Sequence, residues 1–151
     1  SVDRTDYPQP KEMNWAWKSR LSNVNAAFLN VKFKYIDEIL KRRKEIAEKY
    51  FEELWALQTQ QKEKGRIWQE FHLRVWNREN FADYLKKKGV ETLTRDVIPN
   101  HKLWGLKLSH FKLPVTEQLA KEVIRLPLYP EMADAEVDYV IKVIKQFYAK
   151  R

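Results

Sequence analysis

The sequence predicts an α+β domain: a small sheet of about three mainly antiparallel strands, covered by helices, with a long N-terminal helix. Three observations predict it. Apolar residues recur at helical spacing from Val24 to Leu54 and again from Val137 to Phe147. They alternate with polar residues around Phe71 and Leu73. The chain has 151 residues and no internal repeat, enough for one core and too few to promise a second. An extended segment is therefore expected over residues 1–21 and one domain over 22–151.

Each element follows from local signals. Ser22 is the expected N-cap of the long helix, whose stripe is Val24, Ala27, Phe28, Val31, Tyr35, Ile39, Ile46, Tyr50 and Leu54, ending before Gly65. From Ile67 to Val75, Ile67, Phe71, Leu73 and Val75 are expected inward, with Trp68, Glu70, His72 and Arg74 outward. Asn77 caps a short helix carrying Phe81, Tyr84 and Leu85, which Gly89 ends in a left-handed conformation. Val90 to Arg95 reads as a second strand, and Val97 to Leu113, with Pro99 and Gly105, as a loop with short turns. Pro114 starts a helix through Leu119 and Val123, and Arg125 to Pro130 is extended, its two prolines placing it at an edge or strand end. Asp134 is expected to cap the last helix.

Composition excludes several function classes. The absence of Cys removes disulfides and thiolate metal sites, and with no secretory leader in its polar opening the chain is expected to be cytoplasmic. No run approaches the ~20 apolar residues of a membrane span. Three glycines cannot build a phosphate cradle, and His72, His101 and His110 have no metal-site spacing. The net charge of +8 steers anions toward the chain, but Lys41-Arg42-Arg43-Lys44 and Lys86-Lys87-Lys88 read as solvated helix faces. Tyr35, Tyr50, Phe71, Phe81 and Tyr84 read as core rather than as base-stacking platforms, so nucleic-acid binding is the weaker alternative. The chain is expected to hold no self-sufficient active site.

The run Ala16-Trp17-Lys18-Ser19-Arg20-Leu21 and the following Asn25-Ala26-Ala27 resemble the Gly-Tyr-Asn-Ser-Arg-Leu and Gln/Asn-Ala-Ala segment of the DegT/DnrJ/StrS sugar aminotransferases. Lys32 to Glu38 and Arg42 to Ala47 resemble that family's long helix, and Glu91-Thr92-Leu93 with Ile98 to Lys102 its late loop. Pro114 to Val123 and Leu126-Pro127-Leu128-Tyr129-Pro130-Glu131-Met132 resemble its last helix-strand unit, so the likeness is colinear from Trp17 onward.

The resemblance implies the small domain of a fold-type I aminotransferase, which moves an amino group from glutamate or glutamine to a nucleotide-linked keto sugar through pyridoxal phosphate. The Schiff-base lysine would lie in a large domain, so the implied partner is a large-domain chain or, as a dimer, a second copy. Lys18 stands where the family has an Asn that contacts cofactor phosphate across the dimer; a lysine offers a point charge there without the amide's geometry. Arg20 matches the family Arg expected near the amino-donor carboxylate, which a guanidinium fork suits. Arg95 replaces a family His near the sugar, and His101 keeps the downstream His; Arg20, Arg95 and His101 are the implied substrate contacts. The plainer alternative is surface pairing, of Arg95 with Glu91 or Asp96 for example. A non-catalytic dimerisation module derived from the family is the other alternative.

Overall fold

The computed structural model describes residues 21–57, 62–95 and 97–149, so all but Leu21 of the expected extended segment lies outside it. Ser22 caps as expected, its hydroxyl accepting from the Asn25 N–H at 3.2 Å. The long helix is instead two helices: α1 (Asn23–Phe33) stops, Lys34 and Tyr35 turn, and α2 (Ile36–Glu53) begins. The apolar residues of α1 sit on most sides of the helix, so their spacing defines no single stripe. Val24, Phe28, Val31 and Tyr35, expected in the core, are 54–66% exposed. The core begins at Ile46, Ala47, Tyr50 and Leu54.

Two strands pair antiparallel, β1 (Phe71–Arg74) and β2 (Val123–Leu126), with Phe71 opposite Leu126 and Leu73 opposite Ile124. These four side chains are buried. Among the described residues the sheet thus has two strands where about three were expected. Of the run from Val90 to Arg95, Leu93 alone bridges to Arg125, through N–H···O bonds of 3.1 and 3.0 Å. Val90 is committed elsewhere: its N–H bonds the Leu85 carbonyl at the end of the preceding helix. Upstream of Phe71 the chain is irregular, so the alternation fails there: Trp68 is buried and Ile67 exposed, the reverse of the expectation. The last strand starts at Val123, two residues early, and ends before both prolines, which have no N–H for a ladder.

The remaining helices obey their punctuation. Asn77 caps α3 (Arg78–Lys87), accepting from the Asn80 N–H at 3.1 Å. Gly89, at φ 75°, ends it in a Schellman motif: the Val90 N–H reaches Leu85 and the Gly89 N–H reaches Lys86. Leu85 and Val90 both join the core, the apolar contact that such an ending favours. Two short 3-10 turns, Asn100–Lys102 and Trp104–Leu106, break the loop. Pro114 opens α4 (Pro114–Glu122). In α5 (Asp134–Ala149) Asp134 is the first helical residue rather than the cap. Ala133 takes that place, its N–H donating to the Glu136 carboxylate at 2.8 Å, and frees Asp134 for another bond.

That bond is to α2. Arg42 donates to Asp134 Oδ1 at 2.8 Å and to the Met132 carbonyl at 2.6 Å. Arg43 Nη1 gathers the carbonyls of Gln69, Leu128 and Trp68 at 2.8, 3.2 and 3.3 Å, and the Tyr50 hydroxyl donates to Pro127 O at 2.9 Å. The basic run at Lys41 to Lys44 is therefore not simply a solvated face; its two arginines point into the fold and its two lysines outward. Lys86, Lys87 and Lys88 are exposed, at the C-terminal end of α3 where positive charge is favoured. Among the described residues, no helix is long and apolar enough to cross a membrane.

Two predictions follow from these ties. Arg43→Met removes a charged donor from carbonyls on two segments and should cost about 2–3 kcal/mol, seen as a Tm lowered by roughly 4–12 °C in a thermal melt. Lys41→Met, on the exposed side, should stay within about 0.5 kcal/mol of the parent. The second concerns acid. Arg74 holds the Glu122 carboxyl below its ordinary 4.5, His101 does so for Glu117, and Arg42 holds Asp134 below its ordinary 3.8. The unfolded chain then binds more protons in the acid window, so this stabilisation is complete above those ordinary values and is lost as pH falls through the depressed ones. Melts between pH 6 and 3 should show a falling Tm, and Glu122→Gln should flatten the lowest part of that curve.

Candidate functional site

The parity that buries Phe71, Leu73, Ile124 and Leu126 turns His72 and Arg74 of β1, and Arg125 of β2, to the open face of the sheet. Register sets His72 directly opposite Arg125. On the other side of β2, Leu93 bridges to the same Arg125, so Arg95, two residues further along, returns to this face. Arg125 is thus the middle of a row drawn from three segments.

Glu70, one residue ahead of β1, supplies the carboxylate. Its Oε1 accepts from Arg125 Nη1 and lies 3.8 Å from Arg95 Nη1, while its Oε2 lies 3.5 Å from His72 Nε2. The Arg125 side chain is 14% exposed and that of Arg95 48%, so one guanidinium is seated and the other stands at the rim. Arg95 pairs with Glu70 rather than with Glu91; Asp96 lies outside the described residues. Burial lowers the His72 pKa from its ordinary 6.5, and the charges of Arg125 and Arg66 lower it further against the opposing effect of Glu70. The neutral form of His72 is thereby favoured, and among the described residues the charge of the face is carried by guanidiniums and Glu70.

His101 belongs to a second group. It is buried, its Nε2 lies 3.0 Å from Glu117 Oε1, and the same oxygen accepts from Lys102 Nζ at 3.3 Å. The Leu113 N–H also reaches it at 3.4 Å. Glu117 stands in the first turn of α4, where the helix dipole favours an anion. The group fastens the segment between the sheet and α4 onto that helix. Lys18 and Arg20, the other two residues implied by the resemblance, lie outside the described residues.

Sequence reasoning put Glu70, His72 and Arg74 on the outward side of their strand but gave them no function, and it passed over Arg125. The signal was present in part, since three titratable residues on the non-core parity of one strand form a patterned face. What the linear sequence lacked was the register that sets Arg125 between His72 and Leu93. Arginines around one carboxylate can receive an oxyanion by exchanging ion-pair partners. Among the described residues, no three His, Cys, Asp or Glu side chains are grouped to hold a metal ion.

Comparison with known proteins places this geometry in context. The pattern of the DegT/DnrJ/EryC1/StrS aminotransferase family matches residues 2–145. Over 134 residues the chain is 34% identical to dTDP-3-amino-3,6-dideoxy-alpha-D-galactopyranose transaminase of Aneurinibacillus thermoaerophilus, covering 85% of this chain and 37% of that protein. It is 33% identical over 143 residues to the erythromycin biosynthesis sensory transduction protein EryC1 of Saccharopolyspora erythraea, covering 84% and 37%. A solved DegT DnrJ EryC1 StrS aminotransferase from Brucella abortus superposes with a TM-score of 0.76 at 26% identity, over 85% of this chain and 36% of that one. The aminotransferase TlmJ from Streptoalloteichus hindustanus gives 0.75 at 26% identity, over 84% and 36%. The chain spans about 37% of the length of the curated relatives it matches. Sequence pattern and fold agree along nearly the whole chain, which belongs to the DegT/DnrJ/EryC1/StrS aminotransferase family.

Proposed function

We propose that this chain is the C-terminal small domain of a nucleotide-sugar aminotransferase, acting with a large domain that carries pyridoxal phosphate on a lysine. The observation that carries this is the state of α1. Phe28 is 66% exposed, Val24 65%, Phe33 64% and Val31 56%, a contiguous apolar helix that the other described residues leave uncovered. Exposed apolar surface of that kind marks an interface. The 37% coverage of the relatives supports the same division, since most of their length has no counterpart here. In this reading the large domain covers α1, and the sheet's open face turns toward the substrate.

Pyridoxal phosphate, when bound, supplies the electron sink for amino transfer. The donor set on the open face suits an oxyanion, and so fits substrate charge or the cofactor's phosphate rather than its ring. The chain's own part is to position the acceptor sugar through Arg95 and the amino donor through Arg20, with Lys18 offering its charge to the phosphate across a dimer.

The test is reduction with borohydride of the complex between this chain and its large domain, followed by intact mass. A pyridoxyl label on the large domain, together with amino transfer to a nucleotide-linked keto sugar, is the expected result. A label on a lysine of residues 1–151 would sink the proposed division of roles, and a complex without amino transfer would leave a dimerisation module. The chain alone should self-associate through α1 in light scattering at tens of micromolar. Phe28→Glu should return it to a monomer and weaken large-domain binding by at least about tenfold while leaving its melt unchanged, because about 2 kcal/mol of interface burial is lost and no core contact is.

A further inference from the structure

We propose that residues 102–116 form a strap that opens and closes as a unit on the folded chain, with the Glu117 carboxylate as its latch. Three groups converge on Glu117 Oε1: His101 Nε2 at 3.0 Å, Lys102 Nζ at 3.3 Å and the Leu113 N–H at 3.4 Å. His101 and Glu117 stand 16 positions apart, so one oxygen closes the ring of chain between them. Leu113 precedes α4 and offers no capping side chain. The carboxylate that reaches back to its N–H therefore ties the end of the strap as well as its beginning.

Burial does not hold the strap in place. Between Val90 and Ile124 no described residue joins the hydrophobic core, and none of residues 102–116 is buried. Among the described residues, the hydrogen bonds and ion pairs of residues 97–119 all end within 97–122. The ties to the sheet and to α3, made by Leu93, Ala120 and Glu122, lie on either side. A segment with few buried contacts, bonded only to its near neighbours, opens at lower cost than the core around it. Lys107 adds to this. Its φ of 53° puts a side chain in the left-handed region that favours glycine, so the closed loop is strained near its middle. Glu117 works against that strain, and its loss releases the strap without touching the core.

Opening has a consequence for His101. Its side chain is 5% exposed while the latch is closed, so a ligand meets the imidazole only after the strap lifts. Calling that ligand a sugar rests on the small-domain reading; the opening itself does not, because it is measured on this chain without a large domain. Amide hydrogen exchange followed by mass spectrometry separates peptides of the strap from those of α2 and α5. In the parent, residues 102–113 should exchange at least about tenfold slower than an unstructured peptide, yet faster than either helix. Glu117→Gln should speed the strap roughly tenfold while α2 and α5 change by less than about twofold. Strap exchange at the unstructured rate in the parent, an unchanged rate in Glu117→Gln, or an equal rise in α2 and α5 would overturn the proposal.

Discussion

The fold hangs on one side of α2. Arg42, Arg43 and Tyr50 bond to main-chain oxygens of residues 68–69 and 127–132, the stretches that lead into β1 and out of β2. A two-stranded sheet has too few hydrogen bonds to be stable alone. Here both strands are tied to the same helix at one end of the ladder, and the antiparallel register is held from outside the ladder as well as within it. The apolar side of the helix does the rest: Tyr50 and Phe51 meet Phe71 with ring centroids 5.1 and 5.0 Å apart, so the polar clamp and the aromatic contact act on the same strand.

Arginine is used in this way repeatedly, and that explains how a chain of net charge +8 folds compactly. Arg78 is buried at the start of α3 and donates to the Ala120 carbonyl in the last turn of α4 and to Val123 O at 3.4 Å, ending one helix and beginning the next strand. Burial lowers its pKa below the usual guanidinium range, yet the guanidinium stays charged at any physiological pH. Arg74 reaches Glu122, which also accepts from Gln118 at 3.0 Å. A delocalised cation with several donors can answer main-chain carbonyls where the chain leaves regular structure, and the lysines, which hydrate more strongly, remain outside.

Local punctuation was legible in the sequence, and long-range partnership was not. Ser22, Asn77, Gly89 and Pro114 act within four residues of themselves, and each does what its chemistry dictates. The single long helix failed because apolar spacing reports amphipathicity without saying what lies opposite; Phe28 and Tyr50 fall on one stripe in the sequence, and one is exposed and the other buried. The third strand shrank to Leu93 because Val90 was claimed by a helix ending, a competition between two local signals. Asp134 is similar: a good capping residue was displaced by Arg42, which lies 92 positions away. Of the site, Arg95 was legible through resemblance alone, and its partners Glu70 and Arg125 needed the register.

The same register explains the placing of Glu70. Guanidiniums brought together on one face of a sheet repel, and a carboxylate between them relieves that repulsion. Glu70, one residue ahead of β1, stands on the parity of His72, so its Oε1 accepts from Arg125 and lies 3.8 Å from Arg95. A neutral residue at this position would remove that relief, so the carboxylate is part of what holds three segments in one row, a constraint that the register sets and no single segment shows.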